Sequence, residues 1–133
     1  MIESVLPKRG TDDWGSGAFG ANRGDRTHKG IDYACYPETV ILSPVSGECT
    51  KLGYPYGDDL SFRYVQITDS DGWQHRFFYV EPSIDVGEPV QEMEIIGTAQ
   101  DIAGRYNEPN KRMRNHIHYE ILVDGEPINP EGA

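Results

Sequence analysis

The run His116-Ile117-His118-Tyr119-Glu120-Ile121 constrains this chain more than any other stretch. Ile117, Tyr119 and Ile121 alternate with His116, His118 and Glu120. A period of two residues sets these groups on opposite faces of a strand. Same-face neighbours on a strand stand about 6.6–6.8 Å apart. Two imidazoles therefore sit side by side above one sheet surface, with a carboxylate next in line. A solvated edge strand satisfies this pattern without any chemistry. A site satisfies it too, with one imidazole holding a metal and its neighbour working on a water.

The rest of the chain reads as short strands between turns. Thr39–Ser43, Glu48–Leu52, Ser61–Thr68 and Trp73–Val80 have strand composition, and Asp69-Ser70-Asp71-Gly72 is a hairpin turn suited to positive φ. Pro82 ends the fourth strand. Val86–Val90 and Glu94–Thr98 are short β segments, and His116–Val123 closes on an Asp124-Gly125 turn. Residues 100–114 are the most polar stretch, read as a long loop in which a helical turn fits. Such a loop is often a functional rim. No segment holds a helical period, and 15 Gly and 9 Pro supply the turns. The expected fold is all-β, a compact antiparallel sheet, sandwich or barrel. A length of 133 residues fits one domain, residues 1–133.

Composition removes several function classes. The net charge of -10 and pI near 4.7 speak against nucleic acid, which needs clustered Lys and Arg. There is no apolar run long enough for a membrane span. The first residues, Met1 to Arg9, lack the apolar core of a signal peptide, so synthesis in the cytoplasm is expected. A monomer is expected. Cys35 and Cys49 are not spaced as a Cys-x-x-Cys pair. A disulfide, two buried thiols or zinc ligands remain open, and buried thiols are the expected state. The glycine-rich stretch Gly15–Asp25 reads as a turn region. It is not a phosphate loop, because neither Gly-Lys-Ser/Thr nor a helical pattern follows.

A second motif lies far upstream, in His28-Lys29-Gly30-Ile31-Asp32. Three of the four histidines in the chain fall within these two motifs. A catalytic zinc centre takes three protein ligands and keeps one position open, and two His with a carboxylate form a known set. His28, Asp32 and one of the paired histidines meet that requirement.

In order and spacing these pieces resemble the lysostaphin-type (LytM-like) zinc peptidases, which cut peptidoglycan peptides. The resemblance runs from about Phe19 to Pro130. It begins with His28-x-Gly30-x-Asp32 and continues through Val40-Ile41-Leu42-Ser43-Pro44-Val45-Ser46-Gly47. It includes the runs Ile84-Asp85-Val86-Gly87-Glu88-Pro89-Val90 and Ile95-Ile96-Gly97. It ends with His116-Ile117-His118 and Gly125-Glu126-Pro127-Ile128-Asn129-Pro130. The resemblance implies an antiparallel fold of the duplicated-hybrid-motif type, with Zn2+ held by His28, Asp32 and His118. It makes His116 the catalytic histidine and peptidoglycan peptides the substrate.

The chain departs from that family in one segment. The family carries a second catalytic histidine in Tyr-x-His-Leu, where this chain has Tyr79-Val80-Glu81-Pro82. Glu81 is thus the expected second catalytic group, sharing proton transfer with His116 as carboxylates do in other zinc peptidases. His75 lies six residues upstream, about 20 Å along a strand, too far to substitute. Glu120 is a candidate to orient an imidazole, or else an exposed strand carboxylate. In lacking the second histidine the chain is similar to the leukocyte cell-derived chemotaxins, viewed as signalling proteins. Two functions follow. One is a zinc endopeptidase acting at the cell wall after release or within a phage particle. The other is a catalytically impaired zinc module that binds wall peptides or a protein partner.

Overall fold

The structure, a computed structural model, describes residues 6–12, 15–21, 28–107, 109 and 112–131. In chain order the strands are β1 (Thr11–Asp12), β2 (Gly15–Ser16), β3 (Ile31–Ala34), β4 (Val40–Leu42), β5 (Gly47–Gly53) and β6 (Tyr64–Asp69). They continue with β7 (Gln74–Phe78), β8 (Val80–Pro82), β9 (Pro89–Val90), β10 (Ile95–Ala99), β11 (His116–Val123) and β12 (Glu126–Ile128). A short helix, α1 (Ile102–Tyr106), precedes β11.

β11 is the hub of the larger sheet. Along one edge it pairs with β7, His118 opposite Phe78 and Glu120 opposite Arg76. Along its other edge β3 and β12 lie end to end, His118 facing Asp32 and Ile121 facing Ile128. Beyond β7 the sheet continues through β6, β5 and β9. Every one of the pairings just named is antiparallel.

Alternation sorts this sheet into two faces. Ile117, Tyr119, Ile121, Phe77, Val65, Ile67, Ile31 and Tyr33 join one apolar cluster. Ile41 of β4, Val80 of β8, and Ile96 and Ala99 of β10 join the same cluster from the three-stranded sheet β4-β10-β8. Two sheets therefore share one core, and each fully buried Ile or Phe contributes roughly 1.5–3 kcal/mol. The other face of β11, β3 and β7 carries His116, His118, Asp32, Glu120 and Phe78.

The all-β class expected from the sequence is the observed one, with local differences. β6 starts at Tyr64 rather than Ser61. The Ser61 amide donates to Asp59 Oδ1 at 3.1 Å and the Arg63 amide to Gln100 Oε1 at 2.9 Å, so neither enters the ladder. The expected strand Trp73–Val80 breaks at Tyr79, whose φ is 69°. β7 stays in the larger sheet, and β8 crosses to pair with β10. The polar stretch 100–114 holds α1. β3 was not legible as a strand, being four residues long. Of the glycine-rich stretch, residues 22–25 lie outside the described residues.

Gly30 shows why its motif needs glycine. A Cβ there would meet the Tyr119 carbonyl oxygen at 2.2 Å, so a side chain would push β3 away from β11. Gly57, by contrast, has open space where its Cβ would be. Gly30→Ala is expected to destabilise the fold by about 1–3 kcal/mol, and Gly57→Ala by no more than about 0.5 kcal/mol. Urea denaturation midpoints of the two variants check this.

Candidate metal centre and cleft

The register of β3 against β11 sets Asp32 beside His118 on the sheet face turned away from the apolar core. His28 enters from the segment before β3. Its backbone is held on both sides, with its amide donating to Ala21 O and its carbonyl accepting from Gly20 N, each at 2.8 Å. The ring then reaches over the sheet. His28 Nε2 lies 2.9 Å from His118 Nδ1 and 3.2 Å from Asp32 Oδ1. His118 Nδ1 lies 2.8 Å from the same Asp32 oxygen.

The far side of each ring decides what the near side offers. His28 Nδ1 donates to the Ala18 carbonyl at 3.0 Å. His118 Nε2 donates to Glu120 Oε1 at 2.9 Å. In the neutral state that metal binding requires, each ring keeps its outward proton and turns a lone pair inward. Two lone pairs and a carboxylate oxygen converge on one point, which calls for a cation. Tetrahedral zinc with bonds of about 2.0–2.1 Å spaces its ligand atoms about 3.3 Å apart, close to the triangle seen here. Two imidazoles and one carboxylate also suit zinc chemically. Among the described residues this trio is the group of His, Cys, Asp or Glu side chains able to hold a metal.

A second layer braces the first. Asp32 Oδ2 accepts from Arg9 Nη1 at 2.8 Å, and Arg9 also donates to Asp12 at 2.9 and 2.6 Å. Burial works to raise the Asp32 carboxyl, but the His118 and His28 hydrogen bonds outweigh it and hold the group well below the usual carboxylate range. Burial works to lower His118, and Asp32 and Glu120 outweigh it, holding the imidazole up at about 9. The cluster thus concentrates a demand for positive charge.

His116 stands apart from the trio. Its Nδ1 donates to the Arg114 carbonyl at 2.8 Å, and its Nε2 lies 3.5 Å from Asp32 Oδ2. With Nδ1 protonated, Nε2 is the basic atom, and burial favours the neutral ring. Asn115 holds the start of β11 in place, donating to the Cys35 and Gln100 carbonyls and accepting from the Ala103 amide. This last bond fixes α1 against the site. The trio and His116 line a cleft of about 630 Å³, whose walls include Tyr56, Tyr79 and Tyr106.

The sequence-read residues divide here. His28, Asp32, His118 and His116 come together, and Glu120 supports His118. Glu81 does not line the cleft. It is exposed on β8 opposite Thr98, its carboxylate 3.4 Å from Gln100 Nε2. The left-handed turn at Tyr79 is the reason, since it resets which side chains face the site. Tyr79 itself takes the place near His116, ring edge to face at 5.7 Å and 84°. Arg9 and Tyr79 are the residues that sequence reasoning missed. The aromatic run Phe77-Phe78-Tyr79 is the one trace of Tyr79, and nothing local marks Arg9. Both cysteines are free thiols.

Arg9 is buried with Asp32, and Asp12 lies half-buried beside them. Removing one member of a buried ion pair strands the other charge, at a cost of roughly 3–5 kcal/mol. Arg9→Met is expected to lose stability on that scale in chemical denaturation, although Arg9 supplies no donor atom to the trio.

Residues 26–130 match the model of Peptidase family M23. The chain is 29% identical to peptidoglycan DD-endopeptidase ShyC of Vibrio cholerae over 79% of its own length and 22% of that protein's. It thus spans about a fifth of that enzyme. It is 24% identical to mouse leukocyte cell-derived chemotaxin-2, covering 90% of this chain and 76% of the other. The catalytic domain of lysostaphin from Staphylococcus simulans superposes with a TM-score of 0.67 at 18% identity, covering 88% of this chain and 87% of that one. Fold, motif order and the family match agree: the chain belongs to Peptidase family M23.

Proposed function

We propose that this chain is a zinc peptidase that hydrolyses peptide bonds of bacterial peptidoglycan. One observation carries the reading: three donor atoms, two of them on buried side chains, face one another, with a fourth, basic nitrogen on the same sheet face. The peptidoglycan DD-endopeptidase among its relatives supports the substrate class. His28, Asp32 and His118 are the proposed ligands. Bound there, zinc supplies Lewis-acid polarisation and lowers the pKa of a water toward about 7.

The chain's own residues do the rest. A water oxygen forms a bond to the scissile carbonyl carbon, and one proton of that water passes to His116 Nε2. The C–N bond then breaks, and His116 returns the proton to the leaving amine nitrogen. Arg114 O holds the ring so that Nε2 stays available throughout. Arg9 keeps Asp32 ionised and fixed, and Glu120 orients His118. The open, aromatic-walled cleft accommodates an extended peptide.

A zinc-held binding module is the second reading. Two observations favour it: the group near His116 is a tyrosine rather than a histidine, and the likeness to the chemotaxin covers most of both chains. Metal analysis joined to a digestion assay separates the two readings.

Purified protein is expected to carry about one zinc per chain. His118→Ala should lose most of it, and equal zinc in variant and wild type would remove His118 from the ligand set. His116→Ala should retain zinc yet lose at least about 10²-fold in the release of amino groups from peptidoglycan. A chelator should stop wild-type turnover. Intact cross-links after long digestion of several wall types would shift the conclusion to the binding module.

A further inference from the structure

Tyr79 occupies a place that neither strand alternation nor the family pattern assigns to it. Its φ of 69° lies in the left-handed region, which a bulky aromatic residue rarely adopts. The surroundings enforce that conformation. The amides of Tyr79 and Val80 both donate to the Arg63 carbonyl, at 2.8 and 3.2 Å, and the Tyr79 carbonyl accepts from Gln100 N at 2.8 Å. Phe62 and Phe78 hold the ring edgewise, and Tyr56 stacks on it at 12°. The result is a rigid phenol on the cleft wall against His116.

Its hydroxyl ends a chain of donors. Arg105 hydrogen-bonds the Tyr106 side chain, and a guanidinium can only donate. The Tyr106 and Tyr56 hydroxyls lie 2.6 Å apart. Tyr56 donates in turn toward the Tyr79 oxygen over a long 3.5 Å. Each hydroxyl owns one proton, so with Arg105 at the head the bonds run Arg105 to Tyr106 to Tyr56 to Tyr79. Among the described residues no acceptor takes the Tyr79 proton. A donor chain of this kind polarises its last member and strengthens it as a donor.

We infer that the Tyr79 hydroxyl donates a hydrogen bond to the carbonyl oxygen of the scissile peptide as negative charge develops there, an inference that rests on the peptidase reading. No bond to Tyr79 forms or breaks, and its proton stays on the phenol oxygen. Burial pushes that phenol up to about 12, which keeps the proton in place at neutral pH. Tyr79 thus supplies the second positioned group that the missing histidine leaves open, and Glu81 does not. Tyr56 and Tyr106 are positioning residues.

The test compares wild type, Tyr79→Phe, Tyr56→Phe and Glu81→Gln, each with zinc content and melting temperature measured. Tyr79→Phe keeps the ring and removes only the donor. It is expected to lower kcat about 10²–10³-fold on a peptidoglycan peptide, with KM changed less than about threefold and zinc retained. Binding supplies a readout independent of turnover. A phosphinate analogue of the cleaved peptide mimics the tetrahedral, anionic geometry. Tyr79→Phe should bind it at least about tenfold more weakly, while its affinity for an uncleavable amide-like analogue stays unchanged. Tyr56→Phe should show the same pattern at smaller size. The proposal fails if wild type cleaves and Tyr79→Phe matches it in kcat and phosphinate affinity. It also fails if Glu81→Gln, rather than Tyr79→Phe, loses about 10²-fold or more. A wild type that neither cleaves nor prefers the phosphinate overturns the peptidase reading and this inference with it.

Discussion

The pairing of β3 with β11 is the constraint on which the rest of the molecule depends. It places Asp32 opposite His118 and Tyr33 opposite Ile117. A slip of one residue would send Asp32 into the apolar core and lift Ile31 and Tyr33 to the open face. Three features hold the register. Gly30 lets the backbones meet where any side chain would strike the Tyr119 carbonyl. The core side chains Ile31, Tyr33, Ile117 and Tyr119 fit one apolar layer. The segment at Pro7–Arg9 runs along the far edge of β3, with the Ala34 amide donating to Pro7 O and the Arg9 amide to Asp32 O. Arg9 then sends its guanidinium to the same Asp32. Backbone register and side-chain electrostatics are thus fixed by one edge contact.

That arrangement concentrates cost at the site. Asp32, His116 and His118 are buried on a face that also holds Glu120. Burying charge is unfavourable unless each charge is paired and hydrogen-bonded. Here the outer atoms are paired with groups outside the trio, and the inner ones face only one another. Arg9, itself held by Asp12, compensates one side of Asp32, and Glu120 and Ala18 O take the outward protons of the rings. What remains is two ring nitrogens and a carboxylate oxygen aimed at one another. A fold selected for stability alone would fill such a place with apolar side chains. Local electrostatic strain of this kind is characteristic of functional sites, which the surrounding structure must over-determine. The left-handed Tyr79 is the backbone counterpart, a conformation costing about 1–3 kcal/mol held by the Arg63 and Gln100 contacts.

The sequence made the all-β class legible because β5 through β7 and β11 alternate cleanly and the turns between them carry Gly, Pro or Asp-Gly. It also made four of the cleft residues legible, because His28, Asp32, His116 and His118 lie in two short motifs. What stayed hidden depends on tertiary context. β3 is too short to show a period. Arg9 reaches the site from an irregular segment, and its partner Asp32 is 23 positions away. Glu81 falls outside the cleft lining, which counting along a strand does not show because it assumes an unbroken pleat. One residue with positive φ between β7 and β8 breaks that count, so a family pattern laid over residues 79–82 identifies the segment but not the side chain facing the cleft.

His75 shows what separates a structural histidine from a functional one in this fold. It is as buried as His116, and it lies on the same strand as Phe78, which packs edgewise on His118. It projects to the opposite face, however, opposite Ile121 and Ile67. There its Nε2 lies 2.8 Å from Asp69 Oδ2 and its Nδ1 lies 2.7 Å from the Tyr119 hydroxyl. Asp69 takes the ring proton and the tyrosine supplies a proton to the other nitrogen, so both positions are satisfied within the protein. The Asp69 side chain also accepts from the Asp71 and Trp73 amides, which ties the ring to the hairpin turn. Burial alone therefore does not mark a ligand. His28 and His118 differ from His75 because one nitrogen of each is satisfied outside the trio while the other meets only the other members of the trio. The direction of the inward nitrogen, set by what each ring's far nitrogen donates to, is the physical signature that distinguishes the candidate metal face of this sheet from its core.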